Sequence, residues 1–168
     1  VPAQVGITVR KVRDGAAARL VVFCAAIIDQ KVRCTMSKIE YPAPKGLFNN
    51  PRFSQVVVAT GARTIYVSGQ VAIDETGALV GGADLAAQTT QVMKNLGAAL
   101  AAAGAGYEHI AKITTYVVGY KPEMRAVIGA ARGVFFKDRT PPASTLIGVA
   151  ALAEPDWLIE IEAVAVID

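Results

Sequence analysis

Apolar and polar positions change period several times along this chain, and each change predicts an element. After a loop marked by Pro42, Pro44, Gly46, Asn49, Asn50 and Pro51, the run Phe53 to Ala59 (FSQVVVA) predicts a strand. Gly61-Ala62 turns it, and the β-branched and aromatic run Thr64 to Gln70 (TIYVSGQ) predicts a second strand, paired with the first as a hairpin. Asp74-Glu75-Thr76-Gly77 is a further turn, and Gly81-Gly82 leads into Asp84 as helix N-cap. From Leu85, apolar residues recur at Val92, Leu96 and Leu100, the buried stripe of a helix that Gly104 and Gly106 end. Ile110 to Val118 (IAKITTYVV) has strand composition. Pro122 opens a second helix with Met124, Ile128, Ala131 and Phe135 on one stripe, and Pro141-Pro142 forbids its continuation. Two strands follow, Ser144 to Ala151 and Leu158 to Ile167.

The order β-β-α-β-α-β-β predicts an α+β fold: one mixed sheet with both helices on one face. The opposite face then needs a cover, for which a second copy of the chain is the natural candidate.

Composition narrows the chemistry. The chain has 168 residues, 53% of them hydrophobic, enough for one domain with an aliphatic core. Of its net charge of +3, residues 1–35 carry +4, from six Lys/Arg against Asp14 and Asp29. The remainder holds eleven basic and twelve acidic residues, a net −1, so it lacks the basic surplus that nucleic-acid binding requires. Both cysteines, Cys24 and Cys34, also lie in the leading segment. Residues 1–35 are therefore read as an extension that stands apart from the domain, with Val5 to Val12 and Arg19 to Ile28 as possible strands or a short helix. Residues 36–52 are a lead-in loop that begins at Met36-Ser37-Lys38, and 53–168 are the domain. Leu20 to Ile28 is too short to span a bilayer, and no small-x-small cleavage site follows it directly, so the expectation is a cytoplasmic protein with no membrane partner.

His109 is the only histidine and no cysteine lies beyond residue 34, so no cluster in the domain supplies the usual zinc ligands, and neither a metal enzyme nor a Ser-His-Asp enzyme is expected. His109 reads as a loop or surface residue. Gly81-Gly82 lacks the lysine and spacing of a phosphate loop and reads as a hinge. Phe135-Phe136 reads as core. Glu160 and Glu162 share one strand face by period-two alternation; a glycosidase-type carboxylate pair finds no other support in the sequence.

Tyr66-Val67-Ser68-Gly69-Gln70, then Pro142-Ala143-Ser144-Thr145, then Ile159-Glu160-Ile161-Glu162-Ala163-Val164-Ala165 stand in the order, spacing and strand context of the Rid (YjgF-type) proteins, and the chain from Phe53 to Asp168 resembles that family throughout. The resemblance implies a chorismate-mutase-like fold and a homotrimer with sheets facing inward and small-molecule clefts at the subunit boundaries. Active members hydrolyse enamines and imines to a keto acid and ammonia and require no cofactor. Older family labels, translation inhibitor and endoribonuclease, fit poorly with the domain's charge.

Carried over residue by residue, the resemblance makes Glu160 the catalytic candidate, the carboxylate that orients the attacking water. It places Phe53, Ser68, Gly69, Gly129, Ser144, Thr145 and Leu146 around the substrate. At several of these the chain departs from the active pattern. Ser144 stands where active members have the arginine that grips a substrate carboxylate, Phe53 where they have a tyrosine, Gly129 an asparagine and Leu146 a cysteine. A two-pronged guanidinium suits a carboxylate because it donates two parallel charged hydrogen bonds. The expectation is thus a divergent member: an imine or enamine hydrolase without the usual arginine, or a non-catalytic trimer that binds metabolites or regulates a partner. Arg139, or Arg63 from a neighbouring subunit, is the substitute that the sequence offers for the arginine's role.

Overall fold

The computed structural model describes residues 36–47 and 51–168, so the readings of residues 1–35, and of Asn49 and Asn50, lie outside the described residues. Four strands form the main sheet: β3 (Arg63–Gln70), β4 (Ile110–Val118), β5 (Ala143–Val149) and β6 (Ile159–Ile167), ordered β3-β6-β4-β5. β6 runs antiparallel to both β3 and β4, and β4 and β5 are parallel. Two short strands, β1 (Lys38–Glu40) and β2 (Val58–Thr60), form a separate antiparallel pair. Helices α1 (Leu85–Ala102) and α2 (Met124–Gly133) complete the expected mixed-sheet α+β architecture, with α1 packed on β3 and β6 and α2 packed on α1.

The hairpin expected from Phe53–Ala59 and Thr64–Gln70 does not form. Only Val58–Thr60 is a strand, and it pairs with β1, while β3 pairs with β6. Competition for β3 explains the difference. β6 offers a nine-residue alternating surface from Ile159 to Ile167, a far larger apolar partner than Phe53–Ala59. Gly61 lets the chain pass this partner closely: a Cβ there would lie 2.6 Å from the Ile167 carbonyl oxygen and 2.7 Å from Val166 Cγ1. The Phe53 segment instead runs beside the start of β5, where Ser54 bridges to Ala143 and its amide donates to the Pro142 carbonyl at 3.2 Å.

The helix pattern holds. Asp84 caps α1, its carboxylate accepting from the amides of Ala86 (2.8 Å) and Ala87 (3.1 Å). Val92, Met93, Leu96 and Leu100 are fully buried, each contributing about 1.5–3 kcal/mol by removal from water. Gly104, at φ +77°, ends the helix. Gly97 makes room in mid-helix for the Tyr107 hydroxyl, which donates to the Met93 carbonyl at 2.6 Å, and the Tyr107 ring packs on Phe135 and Phe136. α2 ends in a 3-10 turn, Val134–Phe136, with Phe136 buried as expected of a core residue. His109 closes a turn rather than reaching a site: its Nδ1 accepts from the Gly106 amide at 2.9 Å.

Two polar side chains of α1 were not anticipated and fix the loops that frame the sheet. Gln88, fully buried, donates to the carbonyls of Gly82 (2.6 Å) and Asp156 (2.9 Å) and accepts from the Leu158 amide (2.9 Å). Asn95 donates to the carbonyls of Val71 and Ile73 at 2.9 and 2.8 Å. No described helix is long and apolar enough to cross a membrane.

Gln88 therefore holds the entry to β6 in place. Gln88→Leu keeps the volume but strands two carbonyls and an amide, and it is expected to lower the unfolding free energy by about 2–4 kcal/mol, read as a shifted midpoint in urea denaturation.

Candidate functional site

Alternation along β6 divides the site residues between the two faces of the sheet. Ile159, Ile161, Ala163 and Ala165 are buried under the helices, so Glu160, Glu162 and Val164 stand on the other face. The same parity puts Tyr66 and Ser68 of β3 there, with Lys112, Thr114 and Tyr116 of β4. Tyr66 is 80% exposed, a large aromatic left without cover in the single chain. This face is not the apolar surface that the element order suggested but a mixture of acid, base, hydroxyl and aromatic groups.

A bulge in the β3–β6 register between Val67 and Gln70 shapes the centre of this face. It brings Gly69 against Glu160 so closely that a Cβ on Gly69 would overlap the carboxylate. Ser68, Gly69 and Glu160, three of the residues singled out in the sequence, are thereby brought together. Beside them Tyr66, Ser68, Lys112, Thr114, Glu162 and Val164 line a concavity of about 300 Å³. Tyr116 donates its hydroxyl to Glu162 at 3.1 Å, and that acceptor raises the Tyr116 pKa above its usual value of 10.0. Lys112 donates to the Thr145 hydroxyl, which places Thr145 on this face as well.

Other candidates lie elsewhere in the single chain. Ser144 and Leu146 share the parity of Ile113 and Thr115, both fully buried, and so turn toward the helices. Leu146 packs against the core. Phe53 lines a second concavity of about 330 Å³ with Tyr41, Pro42 and Pro141, beside the start of β5. Gly129 lies on α2, where a Cβ would meet nothing within 4 Å. Within one chain the candidates thus fall into two groups: Ser68, Gly69, Glu160 and Thr145 on the uncovered face, and Phe53, Gly129, Ser144 and Leu146 at the β5 edge and the helix layer.

Beside Ser144 stands an arginine that sequence reasoning missed. Arg132 of α2 reaches Ser144 Oγ with both terminal nitrogens at 3.4 Å and Thr115 Oγ1 with Nη1 at 3.2 Å. Within the chain Arg139 is paired with Glu108, and Arg63 Nε donates to the Asp168 carbonyl at 2.7 Å. Arg132 was detectable in principle, since it follows Gly129 by three residues on one helix face.

With this geometry in view, similarity to known proteins is decisive. Residues 47–167 match the Endoribonuclease L-PSP family. The chain belongs to that family, the group of the Rid, YjgF and RutC proteins. A RutC family protein of Synechocystis is 35% identical over 127 residues, covering 75% of this chain and 90% of the relative. The 2-iminobutanoate/2-iminopropanoate deaminase of Rattus norvegicus is 35% identical over 136 residues, 80% of this chain and 90% of the relative. Among solved structures, the Rid-family protein YyfB of Yersinia pestis superposes with a TM-score of 0.74 at 42% identity, covering 77% of this chain and 98% of that one. The resemblance read from the three motifs and the chorismate-mutase-like fold both stand.

The contact between Gly69 and Glu160 gives a direct test. Only the mobile end of the glutamate opposes a new Cβ, so Gly69→Ala is expected to fold with a stability change of about 1 kcal/mol or less while the Glu160 carboxylate swings away. A crystal structure of the variant with Glu160 in its original position would contradict this.

Proposed function

We propose that the chain assembles with copies of itself and hydrolyses small imines or enamines at the junction, with Glu160 as the group that activates water. The observation carrying this reading is the Glu160 carboxylate held against the Gly69 backbone on a sheet face left uncovered in one chain. An ionised carboxylate there accepts a proton from water as the oxygen adds to the C=N carbon. The nitrogen takes up a proton as water adds, giving a neutral carbinolamine, and a second from the hydroxyl by way of the carboxylate, so that the C–N bond breaks and ammonia leaves as the C=O bond forms. The net change is imine plus water to carbonyl compound plus ammonia, with no electrons transferred.

Several features support the assembly. The two groups of candidates face different ways within one chain, and a second copy can complete a cleft by laying its β5 edge near this chain's uncovered face. A homotrimer is the arrangement the family resemblance implies. The rat relative's name supplies the substrate class, 2-imino acids. The family's endoribonuclease label is the weaker reading here, because eleven basic residues face twelve acidic ones after residue 35 and leave no surplus for a phosphate backbone.

Light scattering on the full chain should give three times the monomer mass. Ammonia and keto-acid release from 2-iminopropanoate generated in situ should exceed background, and Glu160→Gln should lower it roughly 100- to 10,000-fold with the trimer intact. Equal rates for wild type and Glu160→Gln would remove Glu160 from the mechanism, and a monomer would remove the shared cleft. RNA binding by a chain lacking residues 1–35 should be weak at physiological salt. Tight binding with a steep salt dependence would favour the endoribonuclease reading instead.

A further inference from the structure

Position 144 holds serine, yet the space around that serine is not without a guanidinium. Arg132 extends from α2 toward Ser144 and Thr115 and lies largely out of solvent, its Nε wholly shielded and donating to nothing. The hydroxyls it meets are neutral, and 3.2–3.4 Å is the long end of hydrogen bonding. Among the described residues no carboxylate lies within ion-pair distance of it. Burial with no opposing charge pushes its pKa down. A cation held in this way, with two neutral hydroxyls and no opposing charge, is costly unless an anion joins it. One helical turn earlier Gly129 is exposed and contributes no side chain, and a Cβ there would meet nothing within 4 Å.

We propose that Arg132 is the anion-binding residue of this chain, supplying from α2 the two-pronged contact to a small carboxylate at the Ser144 position. The inference rests on the reading of a small-molecule site and adds to it the residue that selects acidic ligands. Nη1 and Nη2 both lie 3.4 Å from the single Ser144 Oγ, so the open edge of the guanidinium, the edge that can take a carboxylate with two parallel bonds, is turned toward this hydroxyl. Ser144 and Thr115 serve as positioning residues: they orient the guanidinium without neutralising it, which a carboxylate at either place would do. Charge lost from the strand is thus replaced from the helix behind it.

Pyruvate is a suitable probe, a stable small keto acid, titrated into the full-length protein by calorimetry. Wild type is expected to bind it saturably, and Arg132→Gln to bind roughly 30-fold more weakly or worse. Arg132→Lys, which keeps the charge but loses the two-pronged geometry, should fall between them. Ser144→Asp guards against a folding defect in the arginine variants, because it sets a carboxylate against the guanidinium from within. It should abolish pyruvate binding while Tm is maintained or raised. Unchanged pyruvate affinity in either Arg132→Gln or Ser144→Asp, or no saturable binding to wild type, would overturn the inference. Failure here is distinguishable from failure of the hydrolytic reading. Imine hydrolysis that is equally fast in Arg132→Gln sinks only the role of Arg132, and Arg132-dependent pyruvate binding without ammonia release sinks only the catalysis.

Discussion

Everything about the site depends on the two-residue period of β6 within a sheet covered on one side. Ile159, Ile161, Ala163 and Ala165 close the core beneath α1, and the residues between them are forced onto the opposite face. Glu160 and Glu162 thereby stand on a face that no helix packs. A slip of one residue in register would drive both carboxylates into the apolar core and turn the isoleucines outward, at a cost no local rearrangement could offset. The position of the acid and the integrity of the fold are therefore one constraint.

The helix layer adds precision through polar groups rather than through apolar mass alone. Gln88 ties the β6 entry to α1, and Asn95 ties down the segment after β3, so the two strands that meet at Gly69 and Glu160 are each anchored from the same helix. Such bonds are short-range and directional, and they orient a strand end more narrowly than an apolar contact does. The bulge in β3 then uses this rigidity to set Gly69 against the Glu160 carboxylate.

On the proposed role of Arg132, a serine at position 144 and an anion site at that place are reconciled by where side chains end rather than where they begin. Ser144, seen alone, looks like the loss of an anion site. In space it is the point on which a guanidinium from α2 converges. Long flexible side chains permit such exchange of origin, since an arginine reaches the same place from several backbone positions.

The sequence alone determined the strands β4 and β6, both helices, the Asp84 cap and the family, because each rests on local periodicity, capping chemistry or a short motif such as Tyr66–Gln70 and Ile159–Ala165. It also determined that Glu160 and Glu162 share a face. Strand partners were another matter. Phe53–Ala59 has strand composition, but β3 pairs with β6 instead, because pairing is a competition among distant segments that no local window contains. Gln88 and Arg132 were hidden for a related reason: a polar residue on a helix reads as solvent-facing until the packing of that helix shows which loops and strands it meets. Tertiary structure alone decided that Ser68, Gly69 and Glu160 converge while Phe53, Gly129, Ser144 and Leu146 lie apart from them. Convergence depends on sheet order, the β3 bulge and the depth of each face, and these are set by long-range packing.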